Sequence, residues 1–495
     1  MDVSLRVILI SVLIPFVSPD NWSLVPALNG LLKETPSITN FFEEQTGKVK
    51  SFVTTSYNDA VKMKDSVESY VEKQQTKIVS DWNSYVEGIK ESGRKVADTW
   101  SFIPENNDDS LLKNPDVLLT VPSLILRNGY VCETHTVISE GYVLNVHRIP
   151  HSRHSAAVSA KTVYLQHGLF ASSADWVING PEKGLAYVLA DAGYDVWMGN
   201  IRGNRYSKEH IWFKTDSKSY WNFSWHDVAF YDVPEIINYI LRTKGDDTKI
   251  TYIGHSMGTT IMFAMLSMRP EFNEILTAGF ALAPVVFLSD MKSPLKSLAP
   301  LASNLASVEM LQGSYEFIPK NSAVGKISNS CNGQNMDTLV CKNVVFYLCG
   351  FNEAQFNKTL LPVFLAHLGT GTSWKTAVHF SQEILSGGKF QHFDYGYFNM
   401  KLYGSTAPPE YDLGKITLPI KLFWSKNDLL SSEKDVMSLY ERLPTKPEMF
   451  LVPDEQFNHL DYLWAVDAPR LLNNEIIQSL NRYMNVPKFV FSLKF

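Results

Sequence analysis

The chain has 495 residues, of which 45% are hydrophobic, 19% charged and 12% aromatic, with a formal net charge of -6. That length allows two or three folding units of ordinary globular composition. The acidic balance, with no polybasic run and no zinc-ligand spacing, excludes nucleic acid as a partner.

Arg6 is followed by an apolar run from Val7 to Val17. That run falls short of the ~20 apolar residues needed to cross a bilayer, but it suits the core of a signal peptide. Residues 1–19 are therefore expected to be a signal peptide, cleaved near Ser18 to Ser23. No later stretch is apolar and long enough to span a membrane, so a soluble mature chain is expected. Sequons at Asn21, Asn222 and Asn357 agree with a secretory route, luminal, extracellular or lysosomal.

Residues 20–110 form the next expected unit, a helical extension. Val49, Val53, Tyr57, Val61, Val67, Val71, Ile78, Trp82, Val86 and Ile89 recur near helical spacing, and acids and bases mix on the polar face. Helices packed on the main domain or against a second copy explain that pattern better than a lipid surface does, and no role is assigned to it. Phe102 to Ser110 reads as a linker.

Beyond the linker the period changes. Tyr142 to Ile149 alternates as a strand does, and further strand-like runs follow at 162–168, 194–199 and 249–256. Helix-like segments, Gly184 to Ala192 and Pro234 to Arg242, lie between them. Strands alternating with helices predict an α/β fold with a mostly parallel central sheet. The pattern breaks after Ala283-Pro284 and resumes at Ile420 to Trp424 and Glu448 to Val452. Core segments over 111–284 and 413–495, with a helical cap or lid inserted over 285–412, are the economical reading. Cys341 and Cys349 are close enough to bridge a short loop, and Cys132 reads as a buried thiol.

Gly254-His-Ser-Met-Gly258 fits G-x-S-x-G between a strand and the helical run from Thr259 to Met268. Glycines on both sides permit the tight turn that exposes a nucleophile at the carboxyl edge of a sheet. Ser256 needs a base and an acid to orient it, in the chain order nucleophile, acid, histidine. Of the histidines after Ser256, only His459 follows the point where the sheet resumes; His367, His379 and His392 fall in the expected cap. Asp428 follows the strand-like run ending at Trp424 and is the expected acid, preferred over Asp412, Asp435, Asp454 and Asp461. The oxyanion hole needs backbone N–H donors. Met257, next after the nucleophile, and Leu169, in the turn His167-Gly-Leu-Phe170, are the expected pair.

These residues together resemble the acid lipase family that includes lysosomal acid lipase and gastric lipase. The likeness runs from about Asn114 to Asn474, through Gln166-His-Gly-Leu169, Gly199-Asn-Ile-Arg-Gly-Asn204, Phe223-Ser-Trp-His-Asp227, Tyr231-Asp-Val-Pro234, the serine motif and His459-Leu-Asp-Tyr-Leu-Trp464. It implies an α/β-hydrolase fold with a movable lid over an apolar cleft. It also implies Ser256, Asp428 and His459 as the catalytic triad, Leu169 and Met257 as oxyanion donors, and a Cys341–Cys349 disulfide. Met257 stands where the family usually has glutamine, and Ile201 stands where serine is more usual.

The expected activity is hydrolysis of carboxylic esters of lipids through an acyl-enzyme, with triacylglycerols and sterol esters as substrates by resemblance. The substrate would be met at an oil–water or membrane interface, and no metal or organic cofactor is implied. A carboxylesterase on smaller soluble esters and a non-catalytic lipid-binding protein on the same scaffold are the alternatives. Intact serine, aspartate and histidine count against the second.

Overall fold

The computed structural model describes residues 114–485, apart from 156, 158, 160, 303–305, 307–314 and 318–345. The expected signal peptide and helical extension, the sequon at Asn21, and Cys341 lie outside the described residues.

Helix α1 (Val121–Arg127) leads into a hairpin of β1 (Glu133–Ser139) and β2 (Tyr142–Ile149). Both connecting residues take positive φ, Glu140 at 49° and Gly141 at 87°, which matches the twist of a tight two-residue turn. The chain then alternates. In order come β3 (Lys161–Gln166), α2 (Leu185–Asp191), β4 (Asp195–Met198), the short β5 (Glu209–His210) and α3 (Val233–Lys244). They are followed by β6 (Lys249–His255), α4 (Met257–Met268) and β7 (Leu276–Leu282). Next, β8 (Glu316–Phe317) and β9 (Thr372–Ser373) pair as a separate ribbon leading into α5 (Trp374–Leu385). The main sheet resumes with β10 (Ile420–Trp424), then α6 (Glu433–Arg442), β11 (Glu448–Leu451) and α7 (Asn474–Asn485).

The sheet order is β1-β2-β4-β3-β6-β7-β10-β11, with β5 added beside β2. β2 runs antiparallel to β4, and every pairing from β4 through β11 is parallel. This is the expected α/β-hydrolase sheet. β7 and β10 are sheet neighbours although the ribbon and α5 intervene in sequence, so the inserted stretch leaves the sheet between two adjacent strands. Among the described residues no helix is long and apolar enough to cross a membrane.

Period-two alternation sorts the strand side chains between the two faces. Val163, Leu165, Val196, Met198 and Ile253 pack with Leu185 and Leu189 of α2 and Ile476 and Leu480 of α7. Tyr164, Trp197 and Tyr252, from the same strands, pack with Ile236 and Ile240 of α3 and Ile261 of α4. Helix α4 is apolar on all sides, and its residues from Met257 to Ser267 are buried, as expected of a helix with no solvent face.

One buried ion pair ties this frame to the loops above it. Arg202 donates from Nε to Asp232 Oδ2 at 2.8 Å and from its other arm to Oδ1 at 2.5 Å, with both side chains almost wholly enclosed. The guanidinium also lies 4.1 Å from the Tyr142 ring centre. Two separate sequence landmarks, 199–204 and 231–234, are thus one tertiary joint. Removing one partner of a buried pair strands the other charge, at a cost of about 3–5 kcal/mol. Asp232→Asn is expected to lower the urea unfolding free energy by that amount, read by tryptophan fluorescence, whereas an unchanged midpoint would mean the pair is dispensable.

Candidate active site

β6 ends at His255 and α4 begins at Met257, so Ser256 alone makes the turn, with φ 54° and ψ -120°. A non-glycine residue held at positive φ is strained by roughly 1–3 kcal/mol, and surrounding packing must hold it there. Two glycines permit that packing. A Cβ on Gly254 would lie 2.6 Å from the Gly258 carbonyl oxygen, and one on Gly258 would run into the Gln166 carbonyl at the end of β3. The Ser256 amide donates to Leu282 at the end of β7, which fixes the turn to the neighbouring strand.

His459 and Asp428 arrive from the far half of the sheet. Asp428 lies in the turn after β10, where its Oδ1 accepts the amides of Leu430 at 2.9 Å and Ser431 at 2.8 Å. The same carboxylate faces His459 Nδ1, with Oδ2 at 2.8 Å and Oδ1 at 3.0 Å. A carboxylate only accepts, so Nδ1 carries the proton and Nε2 is left as the base. Nε2 stands 2.8 Å from Ser256 Oγ. Such an arrangement can take the hydroxyl proton and stabilise the imidazolium that results.

The expected oxyanion donors flank the serine. Met257 opens α4, so its N–H has no partner within the helix and lies at the positive end of the helix dipole. Gly168 packs so near the serine that an added Cβ would be 3.1 Å from Ser256 Cβ. His167 Nδ1 donates to the Gly168 carbonyl at 2.8 Å, and its Nε2 accepts from Ile201 N–H at 3.3 Å and Asn204 Nδ2 at 3.2 Å. In a trans peptide the carbonyl and the next N–H point in opposite directions. Anchoring the Gly168 oxygen therefore aims the Leu169 N–H away from His167. Beside this loop the Phe170 ring lies 5.4 Å from Phe317, which lies 4.4 Å from Trp374, an apolar wall drawn from the inserted stretch.

Several supporting residues carry no local signal in the sequence. His255 Nε2 donates to the His459 carbonyl at 2.8 Å; burial holds its pKa well below the ordinary imidazole range, which keeps it neutral. The stretch from Cys349 to Asn352 grips the loops that carry Asp428 and His459. The Cys349 carbonyl accepts the His459 N–H at 3.2 Å, and the Gly350 carbonyl accepts Asn458 Nδ2 at 3.0 Å. Asn427 Nδ2 bridges Phe351 O at 2.9 Å and Gln456 O at 2.7 Å. Asp461, weighed above as a rival acid, instead accepts Asn458 N and Asn352 Nδ2, each at 2.8 Å. Asp435 accepts from Ser289 and the Asp290 amide, away from the imidazole.

Cys341, the other half of the expected Cys341–Cys349 bridge, lies outside the described residues. Cys349 is half-buried, and its carbonyl is committed to the His459 N–H. Cys132 is a free thiol, half-buried, with its pKa pushed up to about 12 by burial. Asn222 is exposed. Asn357 is half-buried, and its Oδ1 accepts both the amide and the hydroxyl of Thr359, the third residue of its sequon.

Burial also sets a pH window. It lowers the pKa values of His147, His167 and His392 to about 4, so each contributes stability above the unfolded value of ~6.5 that is lost as pH falls toward 4. Asp461 is raised to about 7 and Asp175 to about 8 by burial. Their contributions are full below the unfolded value of ~3.9 and are lost as pH rises through 7 to 8. Thermal midpoints are expected to peak between these limbs, and Asp175→Asn is expected to flatten the alkaline one. A midpoint still rising from pH 6 to 8 would contradict this assignment.

Comparison with known proteins agrees with the geometry. Residues 161–299 match the family model described as alpha/beta hydrolase fold, and residues 121–180 match the partial alpha/beta-hydrolase lipase region. The gastric triacylglycerol lipase of Rattus norvegicus is 37% identical over 372 residues, 74% of this chain and 93% of that one. The gastric triacylglycerol lipase of Bos taurus is 39% identical over 373 residues, covering 74% and 92%. Lipase 3 of Drosophila melanogaster is 39% identical over 361 residues, covering 72% and 91%. The chain belongs to the acid lipase family of α/β-hydrolases, alongside the gastric triacylglycerol lipases.

Proposed function

We propose that this protein hydrolyses carboxylic esters of water-insoluble lipids, triacylglycerols and sterol esters foremost, through an acyl-Ser256 intermediate. The observation that carries the reading is the unbroken hydrogen-bonded line from Asp428 through His459 to Ser256 at the carboxyl edge of the sheet. His459 Nε2 takes the proton as Oγ bonds to the ester carbonyl carbon. The Leu169 and Met257 amides hold the oxygen that becomes negative. On collapse the C–O bond to the alcohol breaks, and the leaving oxygen receives the proton from Nε2. Water then attacks the acyl carbon, giving its proton to Nε2, and Ser256 recovers that proton as the fatty acid departs. Asp428 stays ionised throughout and holds Nδ1–H.

Residues 285–412 serve in this reading as the cap, and the Phe170, Phe317 and Trp374 rings favour an apolar acyl chain next to the oxyanion loop. The apolar run at Val7 to Val17 and the sequons support a secretory route to a luminal, extracellular or lysosomal site, with glycans at Asn21, Asn222 and Asn357. A mobility shift on enzymatic deglycosylation of the secreted protein checks that route.

Ser256→Ala is expected to abolish turnover of emulsified trioleoylglycerol and cholesteryl oleate. Asp428→Asn is expected to lower kcat by about 10⁴-fold by losing the Nδ1–H tautomer. His167→Phe frees the Gly168 carbonyl, and a kcat loss of up to ~10²-fold with little change in KM is expected from a misaimed oxyanion donor. Turnover confined to a dissolved short-chain ester would turn the assignment to a carboxylesterase. No turnover by folded wild type would turn it to a lipid-binding scaffold.

A further inference from the structure

The loop after β5 exposes three consecutive large apolar side chains, Ile211 at 55%, Trp212 at 73% and Phe213 at 43% of full accessibility. Exposed apolar residues are common singly, but a contiguous run at a loop tip marks an interaction surface. This tip is built rather than loose. His210 Nδ1 accepts the amides of Trp212 and Phe213, each at 3.0 Å, while Nε2 donates to the Glu140 carbonyl at 3.1 Å. The Ile211 amide donates to the Gly141 carbonyl at 2.8 Å, and Gly141, at φ 87°, leaves the space that the His210 and Trp212 rings fill.

Topology puts the tip on the same side of the sheet as the nucleophile. β2 is antiparallel to β4 and pairs His147 with Met198, the last residue of β4. The start of β2 therefore extends past the carboxyl edge of β4, by roughly 17 Å for five residues at ~3.4 Å each. β5 pairs with that start, Tyr142 with His210. The carboxyl edge is also where β6 delivers Ser256. Around the tip, exposed Lys214 and Lys218 are offset by exposed Glu209 and Asp216, so the surface is apolar and close to neutral.

We propose that the Ile211-Trp212-Phe213 tip is a lipid anchor: it dips into a phospholipid-coated surface and brings the nucleophile's edge of the sheet against it. The choice of a lipid surface rests on the hydrolase reading above. An indole with flanking apolar residues suits the headgroup boundary, where Trp is favoured, and balanced charge makes anionic lipid unnecessary. A second exposed cluster, Tyr397, Phe398, Met400 and Leu402, is the competing anchor.

The test floats the full chain carrying Ser256→Ala, which leaves lipid intact, with phosphatidylcholine vesicles. Trp212→Ser, Phe213→Ser, Trp212→Phe and Phe398→Ser are added singly to that background. Trp212→Ser is expected to lower the partition coefficient by roughly ten-fold, Trp212→Phe to restore most of it, and Phe398→Ser to change it little. With Ser256 intact, Trp212→Ser is expected to lower turnover of emulsified trioleoylglycerol in parallel, and to keep dissolved-ester turnover within about two-fold of wild type. Vesicle binding that survives each of Trp212→Ser and Phe213→Ser undiminished, or that is lost only with Phe398→Ser, overturns the anchor. A wild-type dimer that Trp212→Ser dissociates, without vesicle binding, also overturns it and assigns the tip to a second copy. Trp212-dependent vesicle binding with no turnover of any ester would support the anchor and sink the hydrolase reading instead.

Discussion

The approach of the Gly258 backbone to the Gln166 carbonyl sets how near the first turn of α4 comes to the end of β3. That spacing governs everything at the site. The Met257 amide rides on α4 and the Leu169 amide on the turn after β3, so their separation follows from this one contact. A methyl group at Gly258 would push α4 away from β3, and one at Gly254 would push it away from β6. The strain at Ser256 is tolerated because α4 is buried on all sides and cannot relax outward. Packing energy gathered far from the serine thus holds a backbone shape that the serine itself disfavours.

The loops above the sheet depend on one another in series. Asp232 holds Arg202; the adjoining Ile201 amide donates to His167; His167 holds the Gly168 carbonyl and so aims the Leu169 N–H. On the other side, His255 and the stretch from Cys349 to Asn352 hold the His459 backbone, while Asn427 ties the turn bearing Asp428 to the loop bearing His459. Ser256, Asp428 and His459 come from three separate turns and reach hydrogen-bonding distance because each turn is tied to a neighbouring element. Gly350 shows how tight this is. It adopts φ 112°, and a Cβ there would run into the Asn427 carbonyl.

Burial of ionisable groups carries a consistent electrostatic meaning. Neutral imidazoles at 147, 167 and 392 and the protonated carboxyls favoured at 175 and 461 are the uncharged forms that an enclosed site permits. Where charge is kept inside, at Arg202 and Asp232, it is paired in a two-armed geometry.

Local pattern made much of this legible. The strand at 142–149 follows from alternation and that at 420–424 from a strand-like run, and both match the structure residue for residue. The serine turn follows from glycine chemistry between a strand and a helix, and chain order with strand ends brought out Asp428 and His459. Leu276–Leu282 is different. Ala278, Gly279 and Ala281 have little strand preference of their own, and the segment is a strand because β6 and β10 pair with it on either side. By itself the sequence determined the fold class and pointed to Ser256, Asp428 and His459, because those rest on short-range periodicity, chain order and backbone permissiveness. Only the tertiary structure decided what holds them at 2.8 Å: Arg202 with Asp232, His255 with His459, and Gly350 against Asn427. Those contacts join residues far apart in the chain, and no local pattern of side chains specifies which distant partner will fill a given space.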